Sequence, residues 1–346
     1  MTKQTMLAVL KARSTPGVEL QRIAIPDPKE GELLVKVKAA SICGTDISIY
    51  DWTPWAEGHI KPPVVIGHEI VGEVIEINPS ASSGQAVYAE DIKIGDFVSS
   101  ETHIFCGSCY QCRIGNRHIC ENMELFGIGR NGGFAEYATI PIRTSWKNER
   151  SVPIEWMSTQ EPLGNAVHVV TKAKVSGKRV VVFGLGPTGL CAVAAAKAYG
   201  AKEVIGINRG EYRRKLGKSM GCDATYDELP KALVNQCDVV LEMSGNASSF
   251  VQGLEAARIA GTMIAFGIPK SDVSLNAGKY LINKELTISS VFGRRIWETW
   301  YQVSDLLKSK KVNLGKIITH ECKLKDFEKA VAIMKSGKCG KILLRP

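Results

Sequence analysis

The chain has 346 residues, 45% of them hydrophobic and 23% charged, with 33 glycines; this profile excludes extended disorder, and the length suits two domains better than one core. The net charge of +9 comes from lysines and arginines interspersed with acids, without a basic run interleaved with aromatics; this argues against nucleic acid as a partner and leaves a solvated basic surface, part of it available to a phosphorylated cofactor. No stretch reaches the roughly 20 apolar residues a membrane helix needs, and MTKQTMLAVLKARS lacks a signal-peptide core, so the expected setting is the cytoplasm, with no membrane partner.

From Glu32 to Ala40, Leu33, Val35, Val37 and Ala39 alternate with Lys36 and Lys38, and a similar pattern returns over Ile70 to Ile77; both predict antiparallel strands. Next to these strands lie Cys43-Gly44-Thr45-Asp46 and Gly67-His68-Glu69. A thiolate, an imidazole and a carboxylate on separate segments form a three-ligand zinc pattern whose fourth position stays open to substrate or water, the arrangement of a catalytic site. Taken singly, Cys43 reads as a core cysteine and His68 as a satisfied loop histidine. The metal reading rests on their occurring together and beside a dinucleotide motif.

Ten cysteines in a chain without an export signal argue against a disulfide framework. Four of them, Cys106, Cys109, Cys112 and Cys120, fall within fifteen residues. Two-residue gaps let successive thiolates converge on one ion, and four sulfurs close a tetrahedral zinc shell, so this site is structural. An iron–sulfur cluster and unrelated free thiols are the alternatives. The five scattered cysteines read as packing residues.

Between Lys172 and Gly293 the texture changes to short apolar runs, VVVF, VIGI, DVVLE, MIAFG and LTISSVF, separated by helix-like segments, which predicts buried parallel strands. The first run leads into Gly184-Leu185-Gly186-Pro187-Thr188-Gly189 and then the apolar helix LCAVAAAKAYG. Strand, tight turn and helix in that order set backbone N–H groups and a helix N-terminus against a pyrophosphate. A glycine-rich turn without a ligand would not require the whole unit. The next strand, KEVIGIN, ends at Asn208, where NAD-binding units usually place Asp or Glu; Arg209, Arg213, Arg214 and Lys215 follow. A ribose 2′-phosphate would find charge-assisted donors there, so NADP is favoured over NAD. The competing reading is a solvated helix face, with Asn208 binding a bare ribose diol.

In GHEIVGEV, GDFV, the four-cysteine lobe, GGFAEYATI, VVVFGLGPTGL and the closing GKILL, the sequence resembles the zinc-containing medium-chain dehydrogenases over essentially its whole length. The resemblance implies an α/β fold class: a GroES-like, mainly-β catalytic domain over 1–155, a Rossmann doubly wound parallel-sheet domain over 156–297, and a return to the catalytic domain over 298–346. It also implies a homotetramer. YDWTPWAE, His103, EPLGNAVH at 161–168 and FGRRIWETWY at 292–301 are similar to the branch that oxidises the secondary hydroxyl of L-threonine to 2-amino-3-oxobutyrate. By that resemblance Cys43, His68 and Glu69 hold the catalytic zinc, and Glu161 is a nearby carboxylate for the metal or the substrate ammonium. Sequence does not separate the roles of Glu69 and Glu161. Asp46 would orient His68, and Thr45 would hydrogen-bond the reacting oxygen and pass on its proton. Glu161, His103, Arg294 and Arg295 would supply the charges that an amino-acid substrate needs.

Two features depart from that branch. Ser48 stands where the family usually has a relay histidine, and the acidic ribose reader is missing. A polyol or sugar dehydrogenase with the same metal and cofactor is the alternative enzyme reading. A non-catalytic binding protein that keeps the fold is the alternative from another class, and the intact Cys43, His68 and Glu69 set argues against it.

Overall fold

The alternation that starts at Glu32 becomes the strand Glu32–Ser41, with Leu33, Val35, Val37, Ala39 and Ala40 buried. The computed structural model describes residues 4–79 and 92–346. Strand Glu69–Asn78, which covers the predicted Ile70 to Ile77, pairs antiparallel along one edge of Glu32–Ser41, from Glu32↔Asn78 to Ser41↔Glu69. Two segments share the other edge. Tyr137–Pro141 pairs with its first half and Lys341–Arg345 with its end, where Leu343 lies opposite Ser41. Phe97–Ser100, Ser145–Lys147 and Ile318–Lys323 complete a seven-stranded sheet.

By its contacts the chain forms two compact units. One runs to Glu161 and takes up His320–Ser336 and Lys341–Pro346; the other consists of Pro162–Thr319 and Gly337–Gly340. The return to the first unit therefore begins at His320, later than the expected residue 298. Helix Glu298–Lys308 accounts for the difference. It buries Trp300, Val303, Leu306 and Leu307, and the Arg294 guanidinium lies 6.0 Å over the Trp300 ring, so its apolar face belongs to the second unit.

The apolar runs of the second unit form a wholly parallel sheet of six strands: Ala224–Tyr226, Glu203–Ile207, Arg179–Phe183, Cys237–Glu242, Ala257–Ala265 and Thr287–Ser290. Numbered along the chain the order is 3-2-1-4-5-6, the arrangement that binds dinucleotides at the carboxyl edge where strand order reverses. Val180, Val181, Val182, Val239, Val240 and Leu241 are buried. Helix Pro187–Ala198 buries Leu190 to Ala196. Among the described residues no helix is long and apolar enough to cross a membrane.

Gly189 is where this helix meets the first strand. A Cβ built there would lie 1.9 Å from the Gly184 carbonyl oxygen, a backbone atom that cannot swing aside. Gly189→Ala is therefore expected to destabilise the protein by about 1–3 kcal/mol or more through overpacking. Gly58, in helix Pro54–His59, has open space around its Cβ position, and Gly58→Ala should be neutral or stabilising by about 0.5–1 kcal/mol. Calorimetric melting of both variants checks the contrast; equal melting temperatures would contradict the packing argument.

Candidate active site

Cys43 is the N-cap of helix Gly44–Tyr50, and its N–H donates to Asp46 Oδ2 at 2.8 Å, so the third helical residue reaches back over the helix start. The other oxygen of the fully buried Asp46 lies 3.6 Å from His68 Nδ1. One carboxylate thus fixes the Cys43 backbone and faces the imidazole. Gly67, with φ +96°, makes the turn that delivers His68; a Cβ there would fall 2.2 Å from the Phe134 ring. Burial alone would lower the His68 pKa, but Asp46 and Cys43 outweigh it and hold the imidazole well above its usual value.

Glu69 opens the strand beside Ser41, whose hydroxyl donates to its carboxylate. Lys341, on the closing strand, donates to Glu69 Oε1 at 2.6 Å, lies 2.5 Å from Oε2, and donates to the Ile42 carbonyl at 3.0 Å. Both side chains are excluded from solvent. Burial pushes the Glu69 carboxyl above its usual range, Lys341 pulls it back, and Glu161 adds to the rise. Lys341 was not among the residues singled out from the sequence; a lysine beside the apolar ILL of the closing strand was the available signal.

The thiol of Cys43, a ring nitrogen of His68 and a carboxylate oxygen of Glu69 lie within 4.8 Å of one another. Soft thiolate, imidazole and carboxylate on three separate segments fit a zinc ion. Thr45 Oγ1 lies 3.8 Å from Cys43 Sγ. The Ser48 hydroxyl donates to Gly44 O at 3.4 Å, one turn back on its own helix. Glu161, also buried, stands outside the group of three and accepts from Thr102 Oγ1 at 3.4 Å. His103 is tethered to the buried Glu101, whose carboxylate accepts its N–H at 2.9 Å.

The second cluster is local. Cys106, Cys109, Cys112 and Cys120 also bring their sulfurs within 4.8 Å of one another. The Cys106 sulfur accepts the N–H groups of Ser108 at 3.5 Å and Cys109 at 3.4 Å, which lower its pKa to about 5. Backbone donors aimed at a sulfur favour the thiolate, the form that binds a metal, so the lobe fits a closed four-sulfur shell.

In the second unit Gly184, at φ +91°, donates to Ile207 O at 2.9 Å, and Gly186 caps helix Pro187–Ala198 without a side-chain hydrogen bond. No side chain caps the first turn, an arrangement that suits a phosphate at a helix N-terminus. Asn208, expected to face the ribose, instead ties the loop together: its Oδ1 accepts the Leu185 N–H at 3.1 Å and its Nδ2 donates to Gly210 O at 3.2 Å. Arg213 turns to Cys339 O, Arg214 to the carbonyls of Asn208 and Arg209, and Lys215 to Glu211. Arg209 is exposed, and its guanidinium has no partner among the described residues. The fully buried Arg294 donates to Asn165 Oδ1 at 2.9 Å, and Arg295 pairs with Glu298 at 2.9 Å.

The model of the alcohol dehydrogenase GroES-like domain matches residues 29–153, and that of the zinc-binding dehydrogenases matches residues 187–309. L-Threonine 3-dehydrogenase of Pyrococcus abyssi is 44% identical, over 98% of this chain and 98% of its own. Among solved structures, a protein assigned to the zinc-binding dehydrogenases from Sinorhizobium meliloti 1021, bound to NADP, superposes with a TM-score of 0.89 at 27% identity, over 99% of this chain and 100% of that one. Galactitol-1-phosphate dehydrogenase of Escherichia coli superposes with a TM-score of 0.88 at 26% identity, over 99% of this chain and 100% of its own.

The buried pair makes a sharp prediction. Lys341→Met strands the Glu69 carboxylate without its cation and should cost about 3–5 kcal/mol. Adding Glu69→Gln to that variant should recover part of the loss, because the pair is coupled. Denaturant unfolding of the two variants measures it; a Lys341→Met protein as stable as the wild type would show that the pair does not hold the strands.

Proposed function

The chain belongs to the zinc-binding alcohol dehydrogenase family, and from that premise we propose that it oxidises the secondary hydroxyl of L-threonine to 2-amino-3-oxobutyrate with a nicotinamide dinucleotide as hydride acceptor. The observation that carries this reading is the convergence of Cys43, His68 and Glu69 in a chain 44% identical to a threonine 3-dehydrogenase across nearly all of both sequences. These three residues would hold the catalytic zinc, which when bound supplies Lewis acidity to the hydroxyl oxygen.

The chain's own groups do the rest. Asp46 holds the Cys43 backbone and steers His68. Thr45, beside the Cys43 sulfur, takes the hydroxyl proton and passes it on through water or the Ser48 hydroxyl, which bonds to Gly44 O one turn back on its helix. Glu69 is the third ligand, with part of its charge offset by Lys341, while Glu161 remains as the carboxylate for the substrate ammonium. His103 is the further substrate-side group of the first unit. The Cys106, Cys109, Cys112 and Cys120 lobe holds a second, structural zinc.

Gly184 to Gly189 form the dinucleotide loop, and NADP is preferred to NAD. Asn208 brings no carboxylate against a 2′-phosphate, its acceptor oxygen is taken by Leu185, and Arg209 remains unengaged beside it. Ten cysteines, none of them in a disulfide, suit a reducing cytoplasm. The strand Thr287–Ser290 ends its sheet, with Ile288 and Phe292 exposed nearby; such an edge supports assembly into the homotetramer.

L-Threonine should be oxidised with a kcat/KM about a hundredfold or more above sorbitol, xylitol, glucose or simple secondary alcohols, and Cys43→Ala should abolish turnover. Steady-state kinetics on that panel decides the substrate. Polyol oxidation without threonine oxidation would establish the polyol reading, which the galactitol-1-phosphate dehydrogenase likeness keeps in view.

One good arginine–phosphate contact corresponds to a preference of about ten- to a hundredfold for NADP. Asn208→Asp with Arg209→Val should reverse it, because the carboxylate accepts from the ribose hydroxyls and repels the phosphate. Kinetics with each cofactor at saturating substrate measures both proteins; a wild type that prefers NAD would place Arg209 in solvent.

A further inference from the structure

Glu242 ends the strand Cys237–Glu242, directly beside Phe183 in the sheet and hence next to the start of the glycine loop. Its side chain is fully buried. One carboxylate oxygen accepts the N–H of Ser244 at 2.9 Å and also the Ser244 hydroxyl, and the other accepts the N–H of Gly245 at 3.2 Å. No lysine or arginine pairs with it among the described residues; its charge is met by these donors alone. Burial pushes the carboxyl above its ordinary range, and the Ser244 and Gly245 donors pull it back.

The turn that Glu242 holds is in contact with the glycine loop. A Cβ on Gly184 would come within 2.7 Å of Ser244 Cβ and 2.8 Å of its Cα. On the far side, a Cβ on Gly267 would come within 2.1 Å of Gly245 N and 2.8 Å of Glu242 Oε2. Gly184 in turn supports Gly189 through its carbonyl oxygen, against which Gly189 packs at the helix N-terminus. The contacts therefore run without slack from Glu242 through Ser244 to Gly184 and on to the helix start.

We propose that Glu242 is a positioning residue for the dinucleotide: it locks the Ser244–Gly245 turn against Gly184 and so sets where the N–H groups of the glycine loop meet the pyrophosphate. The inference rests on the dinucleotide reading above. A carboxylate suits the position because it carries no hydrogen and can accept from all three donors. A glutamine of the same size keeps one carbonyl acceptor and turns an NH2 group toward a donor, so the turn must shift.

The test compares the wild type with Glu242→Gln and Ser244→Ala, by titrating NADPH and NADH fluorescence and by steady-state kinetics with threonine. Glu242→Gln should weaken cofactor binding about tenfold or more and raise the cofactor KM by the same factor, with zinc content, threonine KM and kcat at saturating cofactor near wild type. Ser244→Ala, which removes one of the three donors to Glu242 together with the acceptor of the Asn246 N–H, should weaken binding about two- to fivefold. A folded Glu242→Gln protein whose cofactor Kd matches wild type overturns the inference, as does a loss of kcat with the Kd unchanged, the pattern of a merely structural residue. Should Glu242→Gln fail to fold, Ser244→Ala decides: weakened binding supports the inference and unchanged binding overturns it. A wild type that binds neither dinucleotide would overturn the oxidoreductase reading itself.

Discussion

A carboxylate taken out of water must find a cation or give up its charge, because desolvation costs several kcal/mol per ion. Glu69 meets that demand with Lys341, and the two residues come from opposite ends of the chain. The pair joins the strand that Glu69 opens, directly after His68, to the last strand of the protein, while Ser41 and the Ile42 carbonyl, at the end of the strand between them, bond to the same two side chains. Three segments far apart in sequence thus close on one buried charge pair immediately beside the thiol of Cys43. The pairing also sets the electrostatics of the metal position. Without Lys341 the Glu69 and Glu161 carboxylates would face each other with no cation between them; with it, Glu69 keeps a paired charge beside the Cys43 sulfur.

The two candidate metal centres are built in contrasting ways. The cysteine lobe is local: its four sulfurs fall within fifteen residues, and its own backbone N–H groups turn toward them. The Cys43, His68 and Glu69 centre draws on a helix N-cap, a glycine turn and a strand start, and it exists only when the central sheet is in register. A local shell can close on its ion completely. A centre assembled from separate segments can leave a side open, as catalysis requires.

The same distinction governs what could be read from the sequence. The apolar runs and the glycine motif specified the parallel sheet because buried parallel strands leave a dense local signature, and the four cysteines carried their own spacing. Lys341 was missed because its meaning depends on a residue on another strand; along the chain it is one more lysine. Asn208 was correctly placed at the strand end, but its oxygen bonds to Leu185 N–H, a partner fixed by the neighbouring strand. Arg213 and Arg214 read as phosphate donors by charge, whereas in the fold their guanidinium groups bond to the carbonyls of Cys339, Asn208 and Arg209. The amphipathic helix Glu298–Lys308 announced an apolar face without saying which unit would bury it.

At the carboxyl edge of the parallel sheet the turns pack backbone against backbone: Gly184 on Ser244, Gly189 on Gly184, Gly267 on Gly245. No Cβ fits at these glycines, so the turns of the glycine loop are held by one another and by the buried Glu242 carboxylate that grips Ser244 and Gly245. On the proposed reading, the atoms that differ between one dinucleotide and another would lie elsewhere, at the end of Glu203–Ile207, where Asn208 and the exposed Arg209 stand. Affinity for what the two cofactors share would then be a property of the packed turns, and discrimination between them a property of side chains at the rim. Such a division lets a rim residue change its chemistry while keeping the acceptor that Leu185 requires; an aspartate keeps that acceptor but gives up the bond that Asn208 donates to Gly210 O. The adenosine end of the site can thus depart from an acidic reader while the remainder of the fold stays that of its relatives.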